Sequence, residues 1–68
     1  MEKVVLTITG MRCERCVEAI STAVHALPGV SFVNVCLEAS DVIVRLNPHL
    51  CTMDTIRATI ERQGYQVQ

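Results

Sequence analysis

Apolar and polar positions change their period several times along this chain. Val4, Leu6 and Ile8 alternate with Val5, Thr7 and Thr9. Period two in β-branched residues predicts a half-buried strand, and Gly10 stops it. From Cys16 the period becomes helical, with Val17, Ile20, Val24 and Leu27 on one stripe, flanked by Ala19 and Ala23. Glu14, Arg15, Glu18, Ser21, Thr22 and His25 form the polar face, and Pro28-Gly29 ends the helix. Val33, Val35 and Leu37 then alternate with Asn34, Cys36 and Glu38. After a short turn at Ala39-Ser40-Asp41, Val42, Val44 and Leu46 alternate with Ile43 and Arg45. So short a turn predicts an antiparallel hairpin. Asn47-Pro48 breaks the third strand. Thr52 is placed to cap a second helix, with Asp54 in its first turn and Met53, Ile56 and Ile60 as its buried stripe. Gly64 stands where a left-handed residue is wanted, and Tyr65 to Val67 form a last short strand. The order βαββαβ predicts an α+β fold: a ferredoxin-like sandwich with two helices on one face of a four-stranded antiparallel sheet.

Composition narrows the chemistry. The chain has 68 residues and a mass of 7.5 kDa, which predicts one domain over 1–68 and excludes dinucleotide folds, β/α barrels and multidomain enzymes. Phe32 and Tyr65 are the only aromatic residues, so the core must be aliphatic. Six basic and seven acidic residues give a net charge of −1, with no basic stripe for nucleic acid and no aromatic platform for single strands. No uninterrupted apolar run exceeds four residues, so no membrane insertion is expected. Met1 to Gly10 lacks the pattern of a signal peptide, and the expected compartment is the cytoplasm, where thiols stay reduced.

Four cysteines in so short a chain call for an explanation. In a reducing compartment they point to metal or redox chemistry before a disulfide framework. Cys13 and Cys16 form Cys-x-x-Cys in Gly10-Met11-Arg12-Cys13-Glu14-Arg15-Cys16. The first lies in the strand-to-helix loop and the second opens the helix. Two intervening residues turn both sulfurs toward one point. The N–H groups and dipole at a helix N-terminus favour thiolate, and the edge position leaves the pair open to a ligand.

The segment resembles the Gly-Met-x-Cys-x-x-Cys motif of the heavy-metal-associated domain. That family includes small copper chaperones, the N-terminal modules of copper-transporting P-type ATPases and mercury-binding relatives. The resemblance extends through Pro28-Gly29-Val30, Val33-x-Val35-x-Leu37, Ile56-x-x-x-Ile60-Glu61 and the closing Gly64-Tyr65, and so covers nearly the whole chain. It implies the same βαββαβ fold. It also implies that Cys13 and Cys16 bind one soft ion, Cu(I) before Ag(I), Hg(II) or Zn(II). Thiolate softness agrees, and two sulfurs leave zinc two ligands short of its tetrahedral site. By the same resemblance Met11 packs beneath the loop and is not a ligand, and Tyr65 lies in the loop that approaches the metal. Tyrosine at that place is similar to bacterial stand-alone copper chaperones. Arg15 departs from the pattern, since many bacterial relatives have histidine before the second cysteine. The expected partner is the metal-binding domain of a copper-transporting P-type ATPase, or a copper-responsive regulator. The chain itself is expected to be a monomer, or a dimer bridged by metal.

The remaining polar and sulfur residues have plainer readings. Arg12 and Arg15 place positive charge beside the thiols, which favours thiolate and suits an acidic partner surface; simple solvation is the alternative. Alternation puts Cys36 on the open face of the sheet with Val5, Thr7 and Ile43, as an exposed thiol or a tolerated small apolar residue. Cys51 precedes the Thr52 cap and is placed to pack on Ile56 as a hydrophobic staple. His25 and His49 are expected in solvent. Three competing functions stay open at this point: a mercury or zinc/cadmium-binding relative, an excised N-terminal domain of a transporter or mercuric reductase, and a thiol–disulfide oxidoreductase. The polar ending Gln66-Val67-Gln68 favours a complete small protein over the excised domain. The missing aromatic and proline neighbours of a thioredoxin pair weigh against the oxidoreductase. Handing an ion from thiol to thiol is ligand exchange, so no enzyme activity is expected.

Overall fold

The computed structural model describes residues 2–68. Strand β1 (Glu2–Thr9) leads into helix α1 (Glu14–His25). Strands β2 (Val30–Cys36) and β3 (Asp41–Leu46) follow as the hairpin, then helix α2 (Met53–Arg62) and the two-residue strand β4 (Gln66–Val67). The sheet runs β2-β3-β1-β4, and every neighbouring pair is antiparallel. This is the α+β arrangement expected from the hydrophobic periods.

One face of the sheet is the floor of the core. Leu6 and Ile8 of β1 and Val42, Val44 and Leu46 of β3 point into it. Ile20 and Val24 of α1 and Ile56 and Ile60 of α2 close it from above, and Cys51 completes the set. Apart from Cys51 the buried set is wholly aliphatic, and no charged residue is buried among the described residues. Cross-strand rows confirm the alternation: Leu6 lies opposite Val42 and Val35 lies opposite Val42 on its other side, all toward the helices. The open face carries Val5–Ile43–Asn34 and Thr7–Asp41–Cys36. Phe32 also lies there, 46% exposed, with the Arg45 guanidinium 5.8 Å from its ring centre.

Four expectations are corrected. Helix α1 begins at Glu14, so Cys16 sits inside its first turn while Cys13 is the N-cap residue, in extended conformation. Apolar periodicity could not show this start, because the first turn is polar. Strand β2 begins at Val30 and Leu37 already belongs to the turn. The pairing slips between Val30 and Phe32, so Ser31 is bulged and period two cannot be followed across it. Met53 is 40% exposed rather than part of the buried stripe. Cys51, only 4% exposed, takes the place beside Ile56, as a hydrophobic staple does. Cys36 is half-buried rather than fully exposed.

The second connector shows why Cys51 is held there. The Asn47 carbonyl accepts hydrogen bonds from the backbone N–H of Leu50 and of Cys51, both at 2.9 Å, and the Asn47 side-chain oxygen accepts one from His49 N–H at 3.0 Å. Thr52 then caps α2 by accepting from Thr55 N–H at 3.3 Å, as its position predicted. His25 and His49 are exposed.

Candidate metal site

The Cys-x-x-Cys segment occupies the passage from β1 into α1 at one end of the sheet. Gly10 turns the chain out of β1 at φ +101°. Met11, half-buried, packs against the core and anchors the loop from below. The Cys13 carbonyl accepts hydrogen bonds from the N–H of Cys16 at 3.0 Å and of Val17 at 3.4 Å, which winds the first turn of α1. That turn brings the two sulfurs to 3.9 Å. A disulfide would need about 2.0 Å, so both thiols are free. Cys13 is exposed and Cys16 half-buried.

The spacing fits a soft ion held between two thiolates. With metal–sulfur bonds of about 2.3 Å, sulfurs at this separation meet an ion at an S–metal–S angle of about 115°. A straight arrangement requires them to part by only about 0.7 Å, within reach of side-chain rotation. Among the described residues no group of three or more His, Cys, Asp or Glu side chains is placed to hold an ion. Thiolate pairs with no further ligand suit monovalent soft ions better than tetrahedral zinc.

The thiols are not equivalent. Hydrogen bonds lower the Cys16 pKa from 9.0 to about 7. The largest contribution comes from the Tyr65 hydroxyl, followed by the backbone N–H groups of Arg12 and Cys13; burial opposes them, and the Cys13 thiol adds a smaller lowering. Tyr65 is shifted the other way: its hydroxyl is held protonated chiefly by its bond to Cys16, then by burial and by repulsion from both thiolates. Arg12 was expected to act through its charge, and it acts on Cys16 through its backbone N–H. Both guanidinium-bearing residues, Arg12 and Arg15, are exposed at the rim. Between α1 and β2, a groove of about 370 Å³ lined by Glu14, Glu18 and Glu38 over Val17, Val35 and Leu37 flanks the site. The sequence reading missed this groove, because its carboxylates come from two separate elements.

A lowered thiol pKa has a definite sign. The thiolate is the nucleophile, so Cys16 alkylation should accelerate as pH rises and level off above about pH 7. In Tyr65→Phe the midpoint should move upward, toward the value of an unperturbed thiol. Iodoacetamide labelling with mass-spectrometric assignment of each cysteine reads this directly; an unmoved midpoint in the variant would remove Tyr65 as the main cause.

The other sulfurs lie elsewhere. Cys36 stands on the open sheet face opposite Asp41, and Cys51 is in the core near the far end of the sheet, where Leu46 and Val4 share a cavity wall with it. Neither joins Cys13 and Cys16. No helix among the described residues is long and apolar enough to cross a membrane.

Comparison with known proteins places these features in a family. The profile of the heavy-metal-associated domain matches residues 5–66. The copper chaperone CopZ of Bacillus subtilis (strain 168) is 43% identical over 67 residues, covering 98% of this chain and 97% of that protein. Copper-transporting ATPase 1 of Mus musculus is 33% identical over 64 residues, which is 94% of this chain but only 4% of the pump. Among solved structures, a CopZ metallochaperone superposes with a TM-score of 0.96 at 30% identity, covering 98% of this chain and all of the other.

Proposed function

This chain belongs to the heavy-metal-associated domain family, and from that premise we propose that it is a cytoplasmic Cu(I) metallochaperone. Cys13 and Cys16 bind one ion and pass it by thiolate exchange to a partner domain. The observation that carries this reading is the pair of free thiols 3.9 Å apart at the start of α1, with Cys13 exposed.

Low coordination is what makes the site suited to delivery. An ion on two sulfurs leaves one side open. An incoming partner thiolate forms a third bond to copper, one bond to Cys13 or Cys16 breaks, and a second exchange completes the move. Each copper–sulfur bond formed is matched by one broken, and no bond of an organic substrate changes, so the protein is not an enzyme. Cys13, the exposed member, is the natural point of first attack. Hydrogen bonds from the Tyr65 hydroxyl and the two backbone N–H groups bring the Cys16 pKa down to about 7, so a larger share of it is thiolate near neutral pH than of an ordinary thiol.

The partner we propose is the metal-binding domain of a copper-transporting P-type ATPase, since a segment of one such pump is similar over 94% of this chain. A copper-responsive regulator is the second candidate. Arg12 and Arg15, both exposed, and the carboxylate-lined groove give the docking face both signs of charge. Such a face steers a complementary partner and makes the encounter sensitive to salt. Because the face carries both signs, a metal-bridged dimer is accessible beside the monomer.

The test is competition for Cu(I) against a bicinchoninate-type chelator, with Cys13→Ser/Cys16→Ser as the decisive variant. A metal series in the same assay separates copper from Hg(II) and Zn(II). Preference for either over Cu(I) at physiological thiol concentration would overturn the choice of ion.

A further inference from the structure

The helices cover one face of the sheet and leave the other bare. Among the described residues four large apolar side chains are exposed, and two of them, Val5 at 54% and Phe32 at 46%, lie on this bare face. Its middle row is Val5–Ile43–Asn34. One flanking row is Lys3–Arg45–Phe32, and the other is Thr7–Asp41–Cys36. The Arg45 guanidinium, 5.8 Å from the Phe32 ring centre, is held over the sheet by that contact. Asp41 and Arg45 are four residues apart on β3, about 13 Å, so they cannot pair within one chain.

Charge on this face is therefore sorted by row, positive on one side of an apolar middle and negative on the other. Two sheets stacked face to face keep their strands within about 30° of each other. A closed pair of identical chains is related by a two-fold axis. An axis running along β3 would set Arg45 on Arg45 and Asp41 on Asp41. An axis running across the strands, over the middle row, reverses the rows. Arg45 then faces Asp41 of the second copy, and symmetry makes this contact twice. Val5 and Ile43 meet their own counterparts between the two ion pairs. Phe32 meets Cys36 of the second copy, a favourable ring–sulfur contact. A 30° crossing displaces the flanking rows by only about 3.5 Å, which the length of an arginine side chain covers.

We propose that the bare face of the sheet is a self-association surface that takes a second copy of this chain, with the strands reversed and Arg45 paired to Asp41. Strand β1 runs from the Lys3 row past the Thr7 row into the thiol loop, so reversal sets the two loops at opposite ends of the pair. Both loops stay open to partner domains. No metal takes part, and the proposal does not depend on the metallochaperone reading. Three rows of three side chains are fewer than a standard interface uses, so the pair is weak, with a dissociation constant of about 0.1–1 mM.

Sedimentation equilibrium of the metal-free chain in a non-thiol reductant tests this, over about 10 μM to 2 mM. The average mass should climb from 7.5 kDa toward twice that value, and added salt should lower it. Arg45→Asp alone, or Asp41→Arg alone, should weaken association at least about tenfold, because two attractions become two repulsions. Asp41→Arg/Arg45→Asp exchanges the charges and should return to within about threefold of the parent. Because it carries both substitutions, that recovery also guards against an effect of misfolding. Cys36 alkylation should slow about twofold as the chain is concentrated, while that of Cys13 at the ends of the pair should not. Excess bicinchoninate-type chelator should leave the mass unchanged, which separates this pair from one bridged by metal. A mass that stays at 7.5 kDa throughout, an Arg45→Asp variant that associates as the parent does, an exchanged variant as weak as the single ones, or a pair that the chelator dissolves would overturn the proposal.

Discussion

Cys13→Ser/Cys16→Ser is expected to bind no Cu(I) at a chelator concentration that leaves the parent fully loaded. Serine hydroxyls are not ionised near neutral pH and are hard donors, so the exchange removes both thiolates on which the proposed site depends. Losing the metal-binding free energy of a small thiolate site is a change on the order of 10 kcal/mol. The apo fold should barely notice. Cys13 is exposed and Cys16 half-buried, and neither belongs to the buried core, so unfolding stability should change by less than about 1 kcal/mol. Circular dichroism and the denaturant midpoint check that half of the statement, and chelator competition checks the other. Cys36→Ser and Cys51→Ala should both still bind one ion, because those sulfurs stand apart from the loop. Retained binding in the double variant would show that the ion sits elsewhere.

That assignment was legible in the sequence to an uneven degree. The pair itself was visible from spacing, since two residues between cysteines at a strand-to-helix junction leave little freedom. The alternating strands around Leu6 and Val44, and the stripe of Ile20 and Val24, were equally plain, because one buried face forces one period. Where the reading slipped, a local feature had broken the period. Ser31 is bulged and hid the start of β2; the polar first turn hid the start of α1. Met53 was placed inside by counting along α2, but a staple from outside the helix, Cys51, fills that position.

The electrostatics of the site were the least legible part. Two causes of thiolate character were named from the sequence: the N–H groups at the start of the helix, and the charges of Arg12 and Arg15. The backbone N–H groups of Arg12 and Cys13 do lower the Cys16 pKa, but the largest cause is a hydroxyl from the other end of the chain, and the guanidinium charges are not among the causes. Tyr65 was singled out only by resemblance. Its place against Gly10, with the ring 3.4 Å from where a Cβ would stand, is a property of register that emerges only when β1 and β4 are paired.

Ile56→Ala is expected to bring the chain close to unfolding, and added Cu(I) should restore only part of what is lost. Ile56 is fully buried and sits beside Cys51, far along α2 from the thiol loop. Truncation of a buried isoleucine costs about 2–5 kcal/mol. A chain of this length has a total stability of roughly 3–10 kcal/mol, so the midpoint of thermal or urea unfolding should fall steeply. An ion that binds only the folded state would stabilise it by about 4 kcal/mol at a thousandfold excess over its dissociation constant. The two proposed ligands are three positions apart, however, and an unfolded Cys-x-x-Cys segment can still chelate a soft ion. Binding to the unfolded chain subtracts from the linkage, so the recovery should fall short of that figure. What the folded state adds is the Tyr65 hydroxyl, the two backbone N–H groups and a fixed sulfur separation. The recovered stability therefore measures how much of the affinity comes from the fold and how much from the bare motif. Recovery should vanish when Cys13→Ser/Cys16→Ser is added to Ile56→Ala. A full recovery, or one that survives loss of both thiols, would contradict a site built mainly from the local pair.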